Sequence, residues 1–199
     1  MNRWLEFRVS GGAFVFLAAL VLILPLQWVG AVILAAAVHE FCHGFMVCLL
    51  GGRIECITIG SRGIIMKTQP LSGPREIICA LAGPLGSFVL LFAARWCPRT
   101  AICGLVHGLY NLLPLLPMDG GRILRGVLYT LLTPPLAAKI FRWSQRIVYF
   151  LIGICCLVLV SKAGIFAILL GILLLRNNTL AKRAFWRYNR GNIDSEVRL

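Results

Sequence analysis

The sequence predicts an all-α polytopic membrane protein of about six transmembrane helices, with a small membrane-associated β-hairpin between spans two and three. Three observations predict it. Of 199 residues, 59% are hydrophobic, with a mean hydropathy of +0.87, against the roughly half-apolar composition of a soluble domain. Apolar runs near residues 11–26, 29–50, 76–94, 101–117, 147–160 and 163–175 are joined by short connectors, the pattern of a helical bundle in lipid. With the N-terminus in the cytoplasm, these runs leave 17 of the 20 basic residues inside and only Arg95, Arg99 and Lys162 outside. The positive-inside rule selects that arrangement, with both termini cytoplasmic.

The same division accounts for the net charge of +13. A strongly basic chain is a candidate nucleic-acid binder. Here the surplus lies in the inner connectors and tail as a topology signal, so no nucleic-acid partner is expected. The eight cysteines form no CxxC pair and are expected as small apolar fillers.

The N-terminal "MNRWLEFRVSGG" is short and charged ahead of an apolar run, like the start of a signal peptide. The run ends "LILPLQWVG", with no small-residue cleavage site. Residues 11–26 are therefore expected as a retained span, closed by a turn at Pro25. The second run contains "AVILAAAVHEFCHGFMVCLL", residues 31–50, in which His39, Glu40 and His43 interrupt an apolar helix. Ionisable groups at such a depth are costly and mark function by default. Two histidines four apart share one helix face and can converge on one ion. The spacing is HExxH, in which the histidines bind zinc and the glutamate serves as general base. The plainer alternative is a histidine pair bonded to neighbouring helices, with Glu40 as counter-ion.

Alternating apolar residues on both sides of "GSRG" in "RIECITIGSRGIIMKT", 53–68, read as a hairpin. An ordinary cytoplasmic loop lying on the membrane is the alternative. In the fourth run His107 is a lone histidine, either satisfied by a neighbouring hydrogen bond or orienting a site behind its ligands. That run leads into "NLLPLLPMDGGR", 111–122, where Pro114, Pro117, Gly120 and Gly121 predict a broken helix. Five of the seven acids lie in connectors, ends or tails; Glu40 and Asp119 adjoin apolar segments. Catalytic zinc usually takes three protein ligands, and Asp119 can supply the third. Its alternative role is a helix N-cap before "GGRILRGVLYTLL".

The runs 147–160 and 163–175 hold no acid or histidine. They are expected to pack or to dock a regulatory membrane protein, with Gly153, Gly164 and Gly171 permitting close helix approach. The basic tail, 176–199, includes Phe185, Trp186 and Tyr188, which can dip into anionic lipid.

"HEFCH" followed in a later span by "NLLPLLPMDGGR" resembles the site-2 protease family of intramembrane zinc metalloproteases, over residues 29–125. Six spans with the motifs in the second and fourth resemble its short, sporulation-type bacterial branch. The resemblance implies His39, His43 and Asp119 as ligands of a zinc cofactor and Glu40 as catalytic base. It implies for Asn111 a part in holding substrate or an oxyanion. "AGPLGS", 82–87, looks like the family's AGPxxN segment, with Ser87 where asparagine is usual, and makes Ser87 a candidate substrate contact. Residues 1–175 are then an intramembrane metalloprotease domain in a bacterial cell membrane, with 176–199 as a cytoplasmic tail. Neither the PDZ nor the CBS domain of larger relatives fits.

A substrate helix must unwind before a carbonyl can reach the metal. The hairpin offers an edge for an extended substrate, with Ile57 and Ile59 as candidate contacts. The expected partners are a membrane-anchored protein substrate, regulatory membrane proteins and the bilayer. The expected reaction is peptide-bond hydrolysis, in sporulation that of a sigma-factor precursor. Two rivals belong to other classes: a metal transporter or sensor, and an inactive relative that binds membrane proteins without cutting them.

Overall fold

A computed structural model describes residues 6–163 except 61, 62, 70 and 72. The expected span at 163–175, with Gly164 and Gly171, lies outside the described residues but for Ala163. So do the tail 176–199 and the hairpin turn residues Ser61 and Arg62. The elements in order are β1 (Glu6–Val9), α1 (Gly11–Ile23), α2 (Leu26–Leu49), β2 (Ile54–Gly60), β3 (Gly63–Thr68), α3 (Gly73–Val89), a 3-10 turn (Leu90–Ala93), α4 (Pro98–Asn111), α5 (Asp119–Leu131) and α6 (Pro134–Ala163).

Two stretches, Leu26–Leu49 and Gly73–Ala93, are long and apolar enough to cross a membrane, and α1 is a shorter apolar helix. Helix α2 buries Val29 and, in steps of four, Ala31, Ala35, His39, His43 and Val47. Steps of four keep a stripe on one face, so both histidines point the way the packing face points. The helix ends when Gly51, at φ +75°, turns left-handed. The Gly51 and Gly52 amides then return to the Cys48 and Val47 carbonyls at 3.0 and 2.9 Å, closing the last turn. Against this stripe lies α3, whose buried residues include Cys79, Gly83, Pro84, Gly86 and Ser87. Helix α4 packs in turn on α3, with Gly104 and Gly108 over Ser87, Phe88 and Leu90.

The fourth expected span takes a different form. Its helix, α4, stops at Asn111, and α5 starts at Asp119. Pro114 and Pro117 lack the N–H that a continuous helix needs. Helix α5 then runs back along α3, with Gly126 against Ile77 and Thr130 beside Gly73. The expected run at 101–117 is thus one arm of a broken pair, and the second arm, α5, was not among the expected spans. Helix α6 likewise begins at Pro134, well before the apolar run expected from 147.

The expected hairpin is one part of a three-stranded sheet of order β1-β2-β3. Strands β2 and β3 pair antiparallel, and β1 pairs parallel to β2, with Phe7 opposite Ile57 and Val9 opposite Ile59. Gly63, at φ +91°, supplies the positive φ that begins β3. This corrects the reading of Ile57 and Ile59 as edge contacts for a substrate. Strand β2 is central and its backbone is committed on both sides; β3 is the free side of the hairpin among the described residues.

Candidate metal centre

Three buried side chains from two distant parts of the chain converge. His39 and His43 come from adjacent turns of α2, and Asp119 from the first turn of α5. His39 Nε2 lies 3.1 Å from His43 Nε2, and each is 3.0 Å from Asp119 Oδ2. Exposures of 1%, 6% and 5% leave these groups almost no water. Together they form a group able to hold a metal ion, every ligand atom within 4.8 Å of the others.

The hydrogen-bond pattern around these atoms fits a cation. His43 Nδ1 lies 2.8 Å from the Cys79 carbonyl, which can only accept, so Nδ1 carries a proton. In the neutral ring the Nε2 lone pair then faces the carboxylate oxygen of Asp119. Two lone pairs at that distance, out of water, repel; a proton on Nε2 relieves this, and so does a divalent ion bound by two imidazoles and a carboxylate.

Each donor is aimed by a second contact. His39 Nδ1 lies 2.8 Å from Ser87 Oγ, and Arg122 Nη1 donates to Asp119 Oδ1 at 3.1 Å, leaving Oδ2 for the histidines. Arg122 also lies 3.8 Å from Glu76. The His107 ring stands edge-on to His39, centroids 4.6 Å apart. Helices α2 and α3 come this close because Gly83 has no side chain: a Cβ there would overlap both imidazole Nε2 atoms. Glu40 is half-buried beside these residues, within electrostatic reach of His43, Asp119 and Arg122.

Two expected site residues make other contacts than a substrate. Ser87 is fully buried and bonded to His39, so it orients an imidazole and does not present itself to a substrate. Asn111 is half-buried, and its amide nitrogen donates to the His107 carbonyl one turn back, at 3.0 Å. Sequence reasoning missed the Cys79 carbonyl, because every residue has one and nothing in the side-chain pattern marks it. Arg122, three residues after Asp119, faces two carboxylates, Asp119 and Glu76.

A family model described as peptidase family M50 matches residues 95–155, which include Asn111 and Asp119. A zinc metalloprotease of Methanocaldococcus jannaschii is 31% identical over 108 residues, 47% of this chain and 32% of the relative. The chain thus spans about a third of the length of that curated relative. A solved site-2 protease from the same organism has the same fold, with a TM-score of 0.66, 23% identity, and coverage of 88% of this chain and 89% of that one.

The chain has the fold of a site-2 protease and is similar to peptidase family M50 over residues 95–155. The broken pair α4–α5 and the packing of α2 on α3 are therefore features of a site-2 protease fold. The two stretches long and apolar enough to cross a membrane fit that likeness.

Proposed function

We propose that the chain is a zinc-dependent intramembrane protease, which hydrolyses peptide bonds in or near the transmembrane segments of membrane-anchored proteins. The convergence of His39, His43 and Asp119 beside Glu40 carries this reading. His39, His43 and Asp119 would hold the zinc, which when bound supplies the Lewis acid that polarises a peptide carbonyl and makes water nucleophilic near neutral pH. Glu40 takes the proton from the attacking water and delivers it to the leaving amine. Ser87 and the Cys79 carbonyl hold the imidazoles in place, so no reorganisation is needed during reaction. Asn111 sits at the end of α4, where its side chain can turn toward a bound carbonyl. Strand β3 offers backbone groups to an unwound substrate. Cleavage falls near the cytoplasmic end of the substrate's span, the end to which the sheet belongs by the charge division. The finer reading, processing of a sporulation sigma-factor precursor, rests on the resemblance to the short branch.

The purified, zinc-loaded chain in detergent is tested on a panel of membrane-anchored substrates beside Glu40→Gln. Cleavage near a cytoplasmic boundary that falls at least 10²-fold in the variant is expected for loss of a general base. Transport of zinc that survives the substitution would favour a carrier. Substrate capture that ignores it, without cleavage by either form, would favour an inactive binder.

A further inference from the structure

The break between α4 and α5 places Asp119, and not all of its backbone is satisfied from within. Residues 112–118 have five backbone N–H groups, since Pro114 and Pro117 have none. Leu112, Leu113, Leu115 and Met118 donate to carbonyls of Gly108, Tyr110, Leu113 and Leu115, all local. The Leu116 N–H instead donates to Gln145 Oε1 of α6, at 3.3 Å. Gln145 Nε2 returns a hydrogen bond to the Pro114 carbonyl. One side chain, 5% exposed, thus satisfies a donor and an acceptor of irregular backbone that the bilayer would leave unpaired.

The segment it holds is mechanically joined to Asp119. Gly120 is in such close contact with Leu112, and Gly121 with Leu115, that a Cβ at either would overlap backbone atoms. Met118 O accepts from the Gly121 and Arg122 amides at 3.1 and 3.2 Å, starting α5 directly on the break. A shift of residues 114–116 relative to α6 therefore carries Asp119 with it. We propose that Gln145 is a positioning residue of the metal centre, fixing the broken segment against α6 and so setting where the Asp119 carboxylate stands. The inference rests on the metalloprotease reading above. It also gives α6 a part beyond packing.

The test uses the full chain in detergent with Co²⁺ in place of zinc, because the visible bands of Co²⁺ report ligand identity and geometry without any substrate. Gln145→Met keeps the size and loses both hydrogen bonds. It should alter the bands and weaken metal binding roughly tenfold in chelator competition, the low end for residues that support ligands. Gln145→Glu, the second variant should the first fail to fold, keeps an acceptor for Leu116 and loses the donor to Pro114; altered bands are expected there too. Ser144→Ala, one residue away on the same helix, should leave them as in the wild type. Bands unaltered in a folded Gln145 variant, even with a lowered melting temperature, would show a merely structural glutamine and overturn the inference alone. A wild-type chain that takes up no Co²⁺ would overturn the protease reading and the inference with it.

Discussion

Each imidazole of the site is held at both ends, one nitrogen toward Asp119 and the other toward a fixed partner in α3. Ser87→Ala removes the partner of His39 and should weaken zinc binding about 10- to 100-fold. Because serine and alanine are close in size, the melting temperature should move little; unchanged affinity by chelator competition would refute the orienting role. Gly83→Ala acts by crowding. Its Cβ overlaps both histidines, so α2 and α3 must separate, at about 1–3 kcal/mol of stability and with loss of stoichiometric zinc. Unfolding and metal content measured on one sample check both effects. His39, Glu40 and His43 were legible in the sequence because their spacing matches a helix turn within an apolar run. Ser87 and Gly83 were legible only as part of a segment, since what they touch lies on another helix.

The sheet is where local pattern and final structure part. Alternation around "GSRG" showed the β2–β3 hairpin. Strand β1 alternates charged Glu6 and Arg8 with Phe7 and Val9, but its four exposed residues are too short a run to read as a strand, and it pairs about 50 positions away in sequence. Its pairing makes β2 central and leaves β3 as the edge strand of the hairpin. A proline scan through 63–68 should therefore depress cleavage at alternate positions, where the N–H faces the open edge. Cleavage indifferent to proline along the whole of β3 would exclude strand pairing. The break at 112–118 was legible from its prolines and glycines. That it is followed by a second arm packed along α3 was not, because α5 is too amphipathic to read as a span, with Arg122 and Arg125 in its first half.

For the molecule as a whole, the structure adds a constraint to the charge division. Pairing of β1 with β2 puts residues 6–9 and 54–68 at one end of the helices, and Thr130 beside Gly73 adds the end of α5 to that end. At the other, Arg99 stands over the ring of Trp28, 6.0 Å from its centroid. Reporter fusions after Thr68 and after Leu131 should be active on the cytoplasmic side, and a fusion after Trp96 on the outer side; Thr68 and Trp96 on one side would overturn the topology. Zinc held by His39, His43 and Asp119 would also link α2 to α5. Binding only to the folded chain stabilises it by about 4 kcal/mol at a thousandfold excess over Kd. Chelation should therefore abolish cleavage and lower the melting temperature together, both restored by zinc. Cleavage that persists after complete chelation would exclude a metalloprotease.

The sequence by itself determined the solvent and the chemistry. Hydropathy and the distribution of arginine and lysine are properties of composition and order, and HExxH places two candidate ligands by helix geometry alone. Only the tertiary structure decided how far α2 stands from α3, which edge of the sheet is open, and which atoms hold the ligands. Those depend on contacts between residues far apart in the chain: His39 with Ser87, His43 with the Cys79 carbonyl, and Gln145 with the break before Asp119. Hydrogen bonds of this kind are made by common side chains and by backbone, and they carry no period or spacing from which a partner could be read.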